Sequence, residues 1–254
     1  VNAASVRTVA APLLLGVIAV ALWQLAVVAL EIKPFVLPSP LLIAEEFGQN
    51  LNTVWTSSLI TGGNALVGLV IGTVVAVLFA IIAAVLKPFD EISAPVIAAL
   101  AVIPIVALAP VLYTMFGASV ETARQLVAAI AVFVPVYVNA LRGLRQARPV
   151  HRDLMRAYAA TPWQATRTIT LPGALPFLFT GLRIASSLAV ISALIAEYFG
   201  GPIGGLGKSI TSAASSSNYA LAYAYVLGAV IVGLVFYCVT AGLEAYVSRR
   251  GRPA

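Results

Sequence analysis

The chain has 254 residues, 61% of them hydrophobic and only 9% charged, with a mean hydropathy of +1.02. A soluble domain carries about 25% charged residues, so a chain this poor in charge could not cover its own surface with polar groups and is read as an integral membrane protein. The net charge of +6 would also suit a nucleic-acid binder, but the basic residues stand in loops beside apolar runs, which is the positive-inside pattern of membrane topology.

In chain order, Arg7 precedes an apolar run from about Val9 to Leu30, long enough for one crossing. No small-residue cleavage site follows it, so it reads as a span rather than a cleaved signal. Glu31 to Asn52 contains KPFVLPSP and then Glu45 and Glu46. Its prolines delay a regular helix until Ser39-Pro40, a cap followed by proline at the first helical position. The second span, Ser57 to Leu86, is uncharged and contains Gly68 and Gly72, a small-xxx-small pair that lets two helices approach closely. Lys87, Asp90 and Glu91 make a short inner loop. A third span, about Ala94 to Phe116, is interrupted by Pro104 and Pro110. Freed carbonyls there are tolerated beside protein or a water-filled path, and a packing kink and a pathway role both stay open.

Gly117 to Thr122 turns the chain, and a fourth span runs from about Ala123 to Leu141, with Arg124 at its outer end within reach of the interface. Arg142 to Pro172 is the longest polar interruption, holding Arg142, Arg145, Arg148, Arg152, Arg156 and Arg167 against the single acid Asp153. The fifth span, about Gly173 to Phe199, contains Arg183, expected to snorkel inward or meet a backbone carbonyl, and ends near Glu197. Gly200 to Asn218 is an outer loop with a short re-entrant or surface helix. The sixth span, Tyr219 to Val247, leads to Arg249, Arg250 and Arg252. Both termini on the cytoplasmic side put nearly all basic residues on one face, leaving Lys33, Arg124 and Lys208 on the other. The expected fold is all-α, a polytopic bundle of about six transmembrane helices forming a single transmembrane domain over 1–254.

Bond-making chemistry is not visible. Gly201 to Ser209 (GPIGGLGKS) imitates a phosphate-binding loop, but the glycine required before Gly207 falls on Pro202. Cys238 has no partner for a disulfide and no metal-ligand spacing, and is expected to be a buried small apolar residue. His151 lies in the basic loop, where solvation outweighs catalysis. No His-Glu-x-x-His helix, paired catalytic acids or cysteine cluster occurs. A secondary, ion-coupled transporter is the alternative, but the deep spans offer no carboxylate or histidine relay.

The basic loop is patterned rather than irregular. RDLMRAYAA, from Arg152 to Ala160, is a helix with Arg152 and Arg156 on one face. Thr161-Pro162 starts a second short helix, PWQATRTIT, which Leu171-Pro172 ends. Two short helices at a turn would make a rigid cytoplasmic knob on which a soluble motor protein could pull; the plain alternative is an amphipathic loop lying on lipid headgroups.

RAYAATPWQATRTITLPGALPFLFTGLRIA resembles the inner loop of binding-protein-dependent ABC importer permeases. LPSP at Leu37 to Pro40, IPIVALAPVLYTMFG at Ile103 to Gly117, LPGALP at Leu171 to Pro176, GLR at Gly181 to Arg183 and the later AEYFG and GLG are similar to the nitrate/sulfonate/taurine-type subgroup. Against that family's loop, Asp153 stands where a glutamate is usual and Ala159 where a glycine is usual. Since alanine takes positive φ less cheaply, the turn is expected to be shaped differently. Met115 replaces a common tryptophan.

The resemblance implies an ATP-driven importer permease that translocates a small solute: an oxyanion or sulfonate, or a heterocycle such as a thiamine precursor, a pyrimidine or riboflavin. It implies two copies of a cytosolic ATP-binding subunit, an extracytoplasmic binding protein, a second permease copy forming a homodimer, and a plasma or inner membrane location. ATP and Mg would sit in the ATPase, with no cofactor or metal in this chain. Coupling to the ATPase is assigned to Arg152, Asp153, Arg156, Ala157, Tyr158, Ala159, Ala160, Thr161, Pro162 and Trp163. Polar and aromatic residues at membrane depth supply the candidate solute path. They are Asn64, Tyr113, Tyr137, Asn139, Ser186, Ser187, Ser192, Glu197 and Tyr198, each with interhelical hydrogen bonding as its plainer role. The tyrosine- and serine-rich outer end leans toward heterocycles.

Overall fold

The computed structural model describes residues 3–200 and 204–250, without the side chains of 3–9, Arg152 and Arg250. Among them are eleven α-helices and no strand: α1 (Ala3–Ala29), α2 (Pro40–Gln49), α3 (Leu51–Val85), α4 (Lys87–Val102), α5 (Ile105–Phe116), α6 (Thr122–Arg145), α7 (Pro149–Ala157), α8 (Pro162–Ala165), α9 (Leu171–Phe199), α10 (Leu206–Ser215) and α11 (Tyr219–Arg250). A five-residue π-turn, Thr166–Thr170, joins α8 to α9. The nucleotide-loop look-alike falls partly on 201–203, outside the described residues.

Among the described residues, five helices are long and apolar enough to cross a membrane, and α4 with α5 form a sixth candidate bent by 98°. Contacts at the two ends of α6 show that the bent pair is one crossing. Near the start of α4, Asp90 Oδ2 meets Arg145 Nη2, at the end of α6, at 2.8 Å. Late in α5, the Tyr113 hydroxyl accepts from Arg124 Nε, at the start of α6, at 3.1 Å. The pair therefore spans the full length of α6, roughly 36 Å at 1.5 Å per residue.

The core is built around α3, α6 and α9 and is made largely of alanine: Ala65, Ala76, Ala80, Ala128, Ala185, Ala189 and Ala193 are all buried. Lipid is as apolar as leucine, so helices associate through close backbone approach rather than hydrophobic exclusion. Gly68 and Gly72 show this. A Cβ at Gly68 would collide with Ala128, and one at Gly72 with the carbonyl of Ala129 and with Val132. The partner of the small-xxx-small face is thus α6. Leucines and valines instead populate the outer faces. Helix α1 is barely packed, leaning on α2 through Gln24 Oε1 and the Leu41 N–H and placing Trp23 beside Tyr223.

Several sequence expectations are corrected. Lys87, Asp90 and Glu91 form the first turns of α4 rather than a loop. Cys238 is exposed on the outer face of α11, not buried. The second short helix does not stop at Leu171-Pro172: Pro162–Phe199 is one continuous 38-residue helix. The π-turn makes this possible, with the Leu171 N–H donating to Thr166. An i+5 turn just before Pro172 relieves the clash a proline makes with the carbonyl four residues back. The cap at Ser39-Pro40 is as expected, Ser39 Oγ accepting from the Leu42 N–H at 3.2 Å.

Candidate functional site

The elbow between α6 and α9 is built from α7 and the start of the long helix. Pro149 sits in the first turn of α7, and Arg156 Nη1 meets Asp153 Oδ1 one turn away at 3.3 Å. Both are well exposed, so this pair is worth little by itself. The chain reverses at Ala159, whose φ is +50°. The turn thus takes the left-handed form that favours glycine, although the residue is alanine. The Ala159 N–H donates to Arg156 O at 2.9 Å, and the Ala160 N–H to Met155 O at 3.0 Å.

Thr161 then caps α8 in a reciprocal box. Its Oγ1 accepts from the Gln164 N–H at 3.3 Å, and its own N–H donates to Gln164 Oε1 at 2.7 Å. Pro162 occupies the first turn. The turn is therefore closed by backbone hydrogen bonds on the α7 side and by the capping box on the α8 side, and its second arm is the same helix that crosses to Phe199. Tyr158 is 77% and Trp163 66% exposed. Asp153, Arg156, Ala157, Ala159, Thr161 and Pro162 are also exposed, and Ala160 is half-buried. The side chain of Arg152 lies outside the described residues. Behind the elbow, Ile81, Val85, Leu144, Met155, Trp163 and Ile169 are among the walls of a cavity of about 700 Å³.

At the opposite end of the bundle lies a polar knot that joins Asn64, Tyr113 and Glu197 with Arg124 and Thr61, two residues the sequence did not assign to it. Arg124 is fully buried rather than reaching the interface. Its Nε donates to the Tyr113 hydroxyl, and its Nη1 to the carbonyl of Gly204 at 3.3 Å. Tyr113 in turn donates to Ala196 O at 3.1 Å. Glu197, also fully buried, accepts on Oε2 from Thr61 Oγ1 at 2.8 Å and from the Gly207 N–H at 2.9 Å. Thr61 Oγ1 accepts from the Leu206 N–H at 2.8 Å. Two orphan N–H groups at the start of α10 are thus satisfied by α9 and α3. Gly205, at φ +147°, lies against the Glu197 carboxylate, which a Cβ there would strike. Gln125 Nε2 reaches Asn64 Oδ1 at 3.2 Å.

The remaining path candidates are scattered. The Tyr137 hydroxyl pairs with Ser93 at 3.2 Å, and its ring stacks on Phe133. Asn139 Nδ2 donates to Pro135 O at 2.8 Å. Ser186 shares a hydrogen bond with Thr240 at 3.0 Å and donates to Arg183 O at 2.8 Å. Ser192 is buried, Ser187 half-buried and Tyr198 exposed. The structure therefore brings Asn64, Tyr113 and Glu197 into the knot at one end, and disperses the other six.

Arg183 neither snorkels nor meets a carbonyl: its Nη1 pairs with Glu244 Oε2 at 3.1 Å, and Thr180 Oγ1 donates to Glu244 Oε1 at 2.6 Å. The spans thus carry two carboxylates, Glu244 paired with Arg183 and Glu197 bonded to Thr61 and the Gly207 N–H. The signal was present, since a glutamate between Leu243 and Ala245 inside an apolar run requires a partner. Both carboxylates are held in fixed interhelical contacts.

A six-crossing bundle with an exposed elbow at one end defines a polytopic transport permease. Residues 68–253 match the family described as binding-protein-dependent transport system inner membrane component, and the chain belongs to that family. It is the membrane-spanning permease subunit of an ABC importer. A riboflavin transport system permease protein of Chloroflexus aurantiacus is 32% identical over 89% of this chain and 85% of its own length. A taurine transport system permease protein of Escherichia coli is 30% identical over 65% of this chain and 56% of its own. An amino acid ABC transporter solved with histidines superposes over 80% of this chain and 95% of that one, with a TM-score of 0.61 at 16% identity, a likeness of fold.

Proposed function

We propose that the elbow of α7 and α8 is the surface through which a cytosolic ATPase subunit moves this permease. The observation that carries the reading is that α8 is continuous with α9 through to Phe199. A force applied at Trp163 is delivered to the core of the bundle without an intervening hinge. Tyr158 and Trp163 supply exposed aromatic area of the kind that fills a partner's pocket. Arg156 and Asp153 supply charge for register. ATP binding shifts the bundle between inward- and outward-open states only if the ATPase binds the elbow differently in the two, and a rigid elbow is what transmits that difference.

The elbow end is assigned to the cytoplasm, with both termini. Lys87, Arg142, Arg145, Arg148, Arg156, Arg167 and Arg249 belong to that end of the helices, which is the positive-inside arrangement. ATP and Mg would then be held by the partner, two permease copies would pair, and an extracytoplasmic binding protein would deliver solute beside α10. Relatives named for riboflavin and for taurine leave two solute classes, a neutral ring and a sulfonate. The test is cross-linking: a photoreactive residue at Tyr158 or Trp163 should capture the ATPase subunit in membranes. Capture only of lipid would contradict the assignment.

A further inference from the structure

The crossing made by α4 and α5 is broken at its middle, and the break is neither capped nor covered. Ile103 and Pro104 are extended, at ψ 124° and 109°, and the two halves meet at 98°. A cavity of about 250 Å³ beside the break fixes its depth: its walls include Ile130, Ala131, Val134 and Pro135, the middle of α6. The break thus lies near the centre of the membrane.

Ending a helix leaves its last carbonyls without intrahelical partners. Pro104 supplies no side-chain cap for α5 and no N–H for α4. Non-helical backbone at this depth is not tolerated against lipid; it persists only within protein or beside water. The described residues do not cover it. Val102 is 81% exposed, and Ile103 and Val106 are exposed as well.

We propose that the α4–α5 break faces the aqueous path of the importer, and that this path is built for a neutral, hydrogen-bonding ring rather than an oxyanion. The inference rests on the permease reading above. The cavity at the break is walled by aliphatic side chains, including Ile103, Ile105 and Leu188, and among the described residues no charged side chain lines it. The cation in the same part of α9, Arg183, is already paired with Glu244. An anion shedding water here would meet no free positive side chain, whereas a ring with donors and acceptors on its edge can pair with backbone groups while its faces rest on aliphatic walls.

The test uses the assembled transporter in proteoliposomes, with Cys238→Ser to remove the native thiol. Single cysteines replace Val102 and Val106 at the break, and Val70 and Leu78 on the exposed face of α3. A charged methanethiosulfonate reagent reacts only with thiols that water reaches. Labelling at V102C and V106C at least tenfold faster than at V70C and L78C is expected, and rates no faster than those of the α3 positions overturn the placement. Uracil or riboflavin should slow labelling of V106C while taurine and nitrate at equal concentration do not; slowing by the anions, or by none, overturns the solute class. ATP-dependent uptake by the same vesicles is scored separately. Its loss in the Cys238→Ser parent would count against the permease reading, while slow labelling with intact uptake would count against the break alone.

Discussion

The carboxylate of Glu197, at the end of α9, caps a helix in another part of the chain: its Oε2 accepts from the backbone N–H of Gly207 at the start of α10. The same oxygen accepts from Thr61 of α3, so one buried carboxylate joins three helices. Replacing it with alanine leaves a helix N–H and a threonine hydroxyl unpaired. Glu197→Ala is expected to cost about 2–3 kcal/mol, and Glu197→Gln, which keeps an acceptor, less than half of that. Thermal unfolding in detergent compares the two, and equal losses would show that the cap is unimportant.

The pair Arg183–Glu244 offers a double-mutant test. Its side-chain exposures are 36% and 17%, so the bundle encloses the pair only in part. Glu244→Leu alone strands a cation and should destabilise by about 1–3 kcal/mol. Arg183→Leu together with Glu244→Leu should recover part of that loss. The measure is the melting temperature of the four proteins, and additive losses would mean no coupling between the two residues.

At the seam between α3 and α6, Gly68→Ala should cost about 1–3 kcal/mol through overpacking, because its Cβ would land on Ala128. Gly63→Ala, on the same helix with open space around it, should be near neutral. Yield of folded protein and melting temperature separate the two, and a tolerated Gly68→Ala would show that the helices can move apart freely.

Much of this architecture was legible in the sequence because a membrane makes hydropathy informative. The six apolar runs, the cap at Ser39-Pro40 and the cap at Thr161-Pro162 all follow from local chemistry. Pairings between runs did not. Nothing adjacent to Arg124 reveals that it is buried against Tyr113, and Glu197 reaches α10 only because the chain turns back at Gly204 and Gly205. The continuity of α8 with α9 was also hidden, since Leu171-Pro172 reads as a stop unless a π-turn precedes it. At the elbow the two short helices were legible from local chemistry, but the left-handed turn at Ala159 was not, because the residue there argues against it.

That turn gives a further prediction. Alanine at φ +50° is strained by about 1 kcal/mol relative to glycine. Ala159→Gly should therefore stabilise the elbow slightly or leave it unchanged while keeping coupled transport. Marked destabilisation would mean that the turn is not left-handed in the membrane.

The central claim is that the elbow transmits work from ATP. The most direct measurement is the ratio of solute imported to ATP hydrolysed in proteoliposomes carrying the permease, the ATPase and the binding protein. With Asp153→Arg and Arg156→Glu combined, hydrolysis should persist while uptake per ATP falls at least tenfold. An unchanged ratio at normal expression would contradict the account.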